Sequence, residues 1–136
     1  MTAAFPLVFY QFGCIAPAQS GQHPAHALLQ DLLQRGQAWI KRSGSFVVSE
    51  RHSTEQTAPD ALAASYLRSV PERVVWGSDC PYATASSGAH PMPDDARQVG
   101  RLVDWAGHTG DAATPHRVLV GNPAALYGFK PTSSFA

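Results

Sequence analysis

Hydrophobic and polar residues are distributed along this chain in a pattern that predicts three short strands, each followed by a helix. The strand-like runs are rich in β-branched and aromatic residues and are closed by glycine or by polar residues. They are Leu7–Phe12, Ala38–Lys41 and Val74–Trp76. The first run is almost continuously apolar, which is typical of a strand that is buried on both faces of a parallel sheet.

After each of these runs, apolar residues recur at helical spacing and predict a helix. The first helix is predicted over Pro24–Arg35, with Gly36 in the position where glycine commonly closes a helix. The second begins near Pro59, and the third begins at Asp94 and Asp95, whose charges suit the positive end of a helix. The predicted buried positions are Leu28, Leu29, Leu32, Leu33, Leu62, Tyr66, Leu67, Val70, Val99, Leu102, Val103 and Ala106.

The connecting segments complete the predicted architecture. Ala83–Pro93 is rich in small residues and proline and is predicted as a long loop, a length that is more often functional than merely connecting. Thr114-Pro115 and Asn122-Pro123 are N-cap–proline pairs, which predict two short closing helices. The alternation of strands and helices predicts an α/β fold with parallel strands and right-handed crossovers.

Length and composition narrow the class of protein. The 136 residues are enough for one domain or part of one, so residues 1–136 are treated as a single unit. Ten basic residues balance ten acidic ones, so neither nucleic acid nor a membrane surface is expected as a partner. No apolar run reaches the ~18 residues of a membrane span, and the N-terminus lacks the pattern of a signal peptide. Two cysteines favour a reduced, cytoplasmic setting.

Asp79 is the first candidate for chemistry. It follows the run Val74–Trp76 and Gly77, and Pro81 stops further pairing in the sheet. In α/β folds, ligands bind just outside the carboxyl ends of the strands, where this pattern puts the acid. The equally weighted alternative is that Asp79 only caps the next turn.

Four stretches give the chain a resemblance to a known family. They are Pro6–Gly13, Ala38–Gly44, Glu72–Tyr82 and Arg117–Phe129, the last of which runs from a basic residue through Asn-Pro to Leu-Tyr-Gly-Phe. The chain resembles the carboxyl-terminal part of the amidohydrolase-related proteins, and in particular the branch of 2-pyrone-4,6-dicarboxylate lactonase-like enzymes. The resemblance implies a partial TIM barrel, in which the three strands are the last three of eight. A complete barrel needs ~250 residues, so we expect the first five strands to be missing.

The resemblance also implies a reaction. Asp79 matches the family's acid after the eighth strand, which acts as a general base when water attacks a carbonyl, here that of a lactone or cyclic ester. Gln11 stands where a histidine is usual, and an amide can donate a hydrogen bond but neither titrates nor binds zinc well. The family's His-x-His on the first strand is expected to be absent. The resemblance allows a divalent metal such as zinc in the family. Because these histidine ligands are missing, no metal is expected in this chain.

Four residues are candidates for binding a small-molecule substrate. Gln11 and Tyr82 replace histidines of the family pattern, and Ser43 matches a serine that can face the pocket. Arg51 lies in a loop whose arginines bind substrate carboxylates in relatives, although an exposed loop charge is the simpler interpretation. Cys14 and Cys80 replace arginine and tryptophan, and the spacings of His23, His26 and His90 fit no standard zinc site. These histidines are therefore expected to be solvated loop residues.

Two hypotheses remain from the sequence. In the first, the chain is part of an enzyme, and the missing strands come from another chain or from self-association, because a three-stranded sheet leaves two unpaired edges. In the second, it is a truncated remnant or a non-catalytic binding fragment, as the replacement of histidine by Gln11 allows. A panel of lactones, assayed with the chain and with Asp79→Asn, separates the two.

Overall fold

The computed structural model describes residues 5–15, 23–43, 58–88 and 92–130. Three strands and six helices lie in these ranges. They are β1 (Leu7–Phe9), α1 (Pro24–Gln34), β2 (Ala38–Arg42), α2 (Ala58–Ser69), β3 (Val74–Trp76), α3 (Ala83–Ser86), α4 (Asp95–Thr109), α5 (Thr114–His116) and α6 (Asn122–Tyr127). Single 3₁₀ turns span Gln11–Cys14 and Pro71–Arg73, and a π-helical turn, Arg117–Gly121, joins α5 to α6.

The three strands form one parallel sheet in the order β1-β2-β3. Leu7 is paired with Ala38, and Ile40 is paired with both Phe9 and Val74. The predicted α/β class with parallel strands is therefore confirmed. Because β2 lies in the middle, the segments that leave β1 and β3 approach each other across its carboxyl end.

One face of the sheet packs against the helices. Successive side chains of a strand point to opposite faces, so Ala38, Ile40 and Arg42 share one face of β2. Ala38 and Ile40 belong to the main apolar cluster. The helical members of that cluster are Leu29, Leu33, Leu62, Ala63, Tyr66, Leu67 and Leu102. The Arg42 side chain is also buried on this side, and its Nη1 donates to the backbone oxygen and to Oε1 of Gln98 in α4.

The predicted helices are present, but the buried stripes of α1 and α4 are narrower than predicted. α1 buries Leu29 and Leu33, which are four residues apart, whereas Leu28 is 61% exposed. In α4, Leu102 is buried and Val103 is 55% exposed. The prediction was wrong for Leu28 and Val103 because α1 and α4 each cover the core with one row of side chains, and these two residues lie beside that row. None of the helices in the described ranges combines the length and hydropathy that crossing a bilayer requires.

The end of β1 differs from the prediction. The strand stops at Phe9, and the chain turns at Gln11–Cys14, where Gln11, Phe12 and Gly13 have φ values of +48°, +57° and +76°. A left-handed backbone cannot continue a strand, so the run predicted through Phe12 is three residues too long. Burial on both faces was also wrong, since Leu7 is 51% exposed on an edge strand.

Two further predictions are corrected in the part of the chain that follows β3. The segment predicted as a loop from Ala83 begins with the short helix α3. Asn122 is not an N-cap, because it has helical φ and ψ values within the run from α5 to α6. Its buried Nδ2 instead donates to the backbone oxygens of Pro71 and Val74, at 2.7 and 2.6 Å. The Asn-Pro pair therefore fastens the last helix to the start of β3.

Candidate active site

The carboxyl ends of the three strands bring chemically active side chains together. We call this region the carboxyl edge and define it as Tyr10–Cys14 after β1, Lys41–Ser43 at the end of β2, and Gly77–Tyr82 after β3. The pairing of β2 with β3 extends into this region, because the Gly77 N–H donates to the Arg42 oxygen at 2.9 Å. The carboxyl edge is where α/β folds place their ligands.

Asp79 and Gln11 meet at the carboxyl edge although they are 68 residues apart in sequence. The Gln11 Nε2 lies 3.3 Å from each carboxylate oxygen of Asp79 and donates to both. The Gln11 Oε1 in turn accepts a long hydrogen bond of 3.7 Å from the Cys14 thiol. Both ends of the Gln11 amide are therefore engaged, and its orientation toward Asp79 is fixed.

Left-handed backbone conformations are concentrated in the carboxyl edge. Among the described residues, five non-glycine residues have positive φ values, and all five lie there: Gln11, Phe12, Cys14, Asp79 and Tyr82. Such conformations are costly for residues with a Cβ atom and cluster at functional sites, where the surrounding structure holds them. The left-handed turn after β1 allows Gln11 to face Asp79 while Phe12 enters the core.

A tight turn follows Asp79. The Tyr82 N–H donates to the Asp79 oxygen at 2.9 Å, and the peptide bond between Cys80 and Pro81 is cis. The pKa of Tyr82 is raised to about 12, first by burial and then by the neighbouring carboxylate of Asp95. The Tyr82 phenol is therefore neutral at ordinary pH and is able to donate a hydrogen bond.

The other predicted substrate-binding residues have different outcomes in the structure. Ser43 is buried at the end of β2, and within the described ranges its hydroxyl makes no hydrogen bond. Arg51 lies outside the described residues. Cys14 and Cys80 are both exposed, free thiols at the carboxyl edge. The substrate-binding roles of Gln11, Ser43, Arg51 and Tyr82 stay predictions.

The described residues do not by themselves form a zinc site. Zinc takes four nitrogen, sulfur or oxygen ligands, and no group of three or more acidic, histidine or cysteine side chains comes together in the part of the chain that the structure describes. The Gln11 amide presents its N–H₂ group, a hydrogen-bond donor, toward Asp79.

Sequence reasoning assigned no separate role to Lys41, although it lies at the carboxyl edge. Its Nζ lies 4.8 Å from the centre of the Tyr10 ring, and the side chain is half-buried. The signal that could have found it is a lysine in the second half of a short buried strand, with Gly77 directly after the neighbouring strand β3.

A parallel sheet with a carboxylate held at the carboxyl ends of its strands is the arrangement of α/β enzymes. The comparison with known proteins gives the family. The profile of the amidohydrolase family matches residues 6–129, and the chain belongs to that family. The resemblance seen in the sequence is thereby confirmed.

Two curated relatives carry names that refer to lactones. The chain is 34% identical over 115 residues to a D-galactarolactone isomerase of Agrobacterium fabrum, covering 82% of this chain and 36% of the relative. It is 32% identical over 129 residues to a 4-sulfomuconolactone hydrolase of Rhizobium radiobacter, covering 93% of this chain and 40% of the relative. The chain thus spans about two fifths of the length of these relatives.

Solved structures agree on the fold. An apo crystal structure from Agrobacterium tumefaciens superposes with a TM-score of 0.75 at 31% identity, over 92% of this chain and 42% of that one. An amidohydrolase from Burkholderia multivorans with bound zinc gives a TM-score of 0.67 at 21% identity, over 91% of this chain and 44% of that one. At that identity, the second likeness bears on the fold alone.

Proposed function

We propose that this chain forms part of an amidohydrolase-family hydrolase that opens a lactone or related cyclic ester, with Asp79 as the general base. The observation that supports this most is the pair formed by Asp79 and Gln11 at the carboxyl edge. One half-buried carboxylate is held there by a neutral amide. The lactone names of both curated relatives support the choice of substrate class.

In the proposed reaction, Asp79 accepts a proton from a water molecule while the water oxygen attacks the lactone carbonyl. A tetrahedral intermediate forms and then collapses, which breaks the ring C–O bond. The proton passes from Asp79 to the departing ring oxygen, and the product is a hydroxy acid. A positioned general base contributes roughly 10²- to 10⁴-fold to such a step.

Gln11 orients the base in this proposal. An ionised carboxylate has about four lone-pair sites, so one amide at 3.3 Å from both oxygens leaves room for a water molecule. Because the amide is neutral, it fixes the carboxylate without neutralising its charge. Tyr82 is proposed to line the substrate site, where the oxygen of its neutral phenol accepts a hydrogen bond from the substrate while its O–H interacts with Asp95.

The three strands are proposed to be one part of a TIM barrel. Within the described residues, β1 and β3 each pair only with β2, so two sheet edges are open. Open edges favour association with further strands. We propose that the rest of the barrel wall is provided by a longer chain, by a partner chain or by a second copy. If a second copy provides it, sedimentation velocity should show an assembly larger than one chain, and a stable monomer would argue against this source.

The reaction is tested with a panel of lactones and a matched pair of variants. We expect Asp79→Asn to reduce ring opening at least 100-fold, in line with the loss of a general base. The control is Asp104→Asn, which removes an exposed carboxylate in α4 and should leave the rate unchanged. Circular dichroism checks that both variants fold like the wild type.

The same assay decides between the two sequence hypotheses. The observation that favours a non-catalytic fragment is the neutral Gln11, which already occupies both oxygens of Asp79. If the wild type opens no lactone of the panel, or if Asp79→Asn is as active as the wild type, the role proposed for Asp79 is rejected.

A further inference from the structure

Lys41 lies on the face of β2 that does not pack against the helices. Ala38 and Ile40 point toward the helices, and the alternation of side chains therefore puts Lys41 on the opposite face. Lys41 is paired with Val75 of β3, one residue before β2 ends. Its side chain thus begins beside the segments that carry Gln11 and Asp79.

The segments that directly follow β1 and β3 contact the Lys41 side chain. On one side, its Nζ lies over the Tyr10 ring at 4.8 Å from the centre, a cation–π contact. On the other side, it passes over Gly77, where a Cβ atom would overlap Lys41 Cε and lie 3.1 Å from Nζ. The three heavy atoms nearest to this Cβ would all belong to Lys41. Glycine at position 77 therefore makes the room that this lysine occupies.

Lys41 carries a positive charge that no described carboxylate neutralises. Two salt bridges of the described residues, Arg35–Asp31 and Arg117–Asp111, lie away from the carboxyl edge. The carboxylate of Asp79 is bound by Gln11 instead. A half-buried cation with no counter-ion attracts an anion, because burial weakens the competition from water.

A second polar group, Ser43, directly follows β2. If the alternation continues for one residue past the strand, Ser43 shares the face of Lys41. Its side chain is 1% exposed, and in the described part of the chain its hydroxyl has no hydrogen-bond partner. A buried hydroxyl without a partner is unfavourable, so a ligand that supplies an acceptor would stabilise it.

We propose that Lys41 binds an oxyanion of the substrate, such as a carboxylate carried by the lactone ring, and that Gly77 sets this specificity by leaving room for the lysine. The proposal rests on the proposed function for its substrate class. In this arrangement, Lys41 and Ser43 hold the anionic group while Asp79 acts on the ester carbonyl. Lys41 then determines which lactones bind, whereas Asp79 determines whether they react.

The binding test uses the two lysines of the chain, Lys41 and Lys130. With ¹³Cε-labelled lysine, NMR gives one signal from each, and exposed Lys130 is an internal control for general salt effects. The probe is glutarate, a small dianion, at constant ionic strength, with neutral glutaramide as the matched control. We expect glutarate to shift the Lys41 signal in a saturable manner, and glutaramide to shift neither signal.

Substitution of Gly77 tests the role of the available space. Gly77 is not in the left-handed region, so Gly77→Ala is compatible with the backbone, and the atoms nearest to the new Cβ are those of the flexible end of Lys41. We expect Gly77→Ala to weaken glutarate binding about tenfold, as expected for loss of a charge-assisted contact. The control is Gly107→Ala, since a Cβ at Gly107 would meet nothing within 4 Å. In a Lys41→Ala background, Gly77→Ala should have no further effect.

The outcomes separate this inference from the proposed function. If glutarate shifts Lys41 and Lys130 equally, or shifts neither, Lys41 only covers the sheet and the inference is rejected. If Gly77→Ala binds glutarate as well as Gly107→Ala does, the role of Gly77 is rejected. Because binding is measured without turnover, it can be repeated in Asp79→Asn. Retained binding with no lactone opened by the wild type would reject the role of Asp79 and support that of Lys41.

Discussion

Asn122 provides the most quantitative test of how this chain is held together. Its side chain is 5% exposed, and its Nδ2 donates two short hydrogen bonds, to the oxygens of Pro71 and Val74. Pro71 begins the 3₁₀ turn before β3, and Val74 is the first residue of that strand. We predict that Asn122→Ala destabilises the fold because it breaks the link between α6 and β3.

The expected destabilisation by Asn122→Ala follows from the two hydrogen bonds that Asn122 donates. A hydrogen bond contributes about 0.5–1.5 kcal/mol net, and a buried group left without a partner costs about 1–3 kcal/mol. Two carbonyl groups lose a donor in Asn122→Ala, so the free energy of unfolding should fall by roughly 2–4 kcal/mol. Asn122→Asp keeps the size of the side chain but replaces the donor by an acceptor. It should be at least as destabilising, since its oxygens would face two carbonyl oxygens.

Urea unfolding at a fixed protein concentration measures these changes. The control is Gln34→Ala, which removes an exposed polar side chain at the end of α1 and should change stability by less than ~0.5 kcal/mol. If Asn122→Asp were as stable as the wild type, packing rather than hydrogen bonding would explain the role of Asn122. A change in Asn122→Ala no larger than that of the control would refute the reasoning altogether.

Two predictions concern titrating groups. Burial raises the pKa of Tyr66 to about 12, so the stability that depends on its neutral form is present below pH 10 and is lost between about pH 10 and 12. Tyr66→Phe should remove this loss in alkaline unfolding curves and leave stability at pH 7 unchanged or higher, because the Tyr66 hydroxyl is buried without a partner in the described structure. The pKa of Asp111 is lowered from its ordinary value of 3.8. The largest cause is the hydrogen bond from the Ala113 N–H, and the next is the hydrogen bond from Arg117. The stability that it contributes is therefore present above about pH 4 and is lost as the pH falls further, and Asp111→Asn should flatten the acid limb of the pH–stability curve.

Much of the fold could be predicted from local sequence patterns. The strand Val74–Trp76 and the parallel sheet follow from runs of apolar residues and their alternation with helices. Gly36 closes α1 as predicted, with a φ value of +70°. Asp94 opens α4 as predicted, because its side chain accepts a hydrogen bond from the Arg97 N–H. These features depend on residues that are close in sequence.

The features that could not be predicted depend on distant contacts. The pattern around Asn122 is that of an N-cap, but its partners lie 48 and 51 residues away. The end of β1 could not be placed, because nothing in the residues at 10–14 except Gly13 indicates a left-handed backbone. For the site, the sequence indicated Asp79 at the end of a strand. It could not show that Gln11 donates to both of its oxygens, because that contact depends on the order of the strands.

The four-residue turn after β1 ties the interior of the protein to its chemistry. Phe12 is 1% exposed and belongs to the main apolar cluster, while Gln11, the residue before it, reaches Asp79. Phe12, which packs in the core, and Gln11, which orients the Asp79 carboxylate, are therefore joined by a single peptide bond. Substitutions that repack the interior around Phe12 will be transmitted to the carboxylate, so selection for stability and selection for activity act on the same short segment.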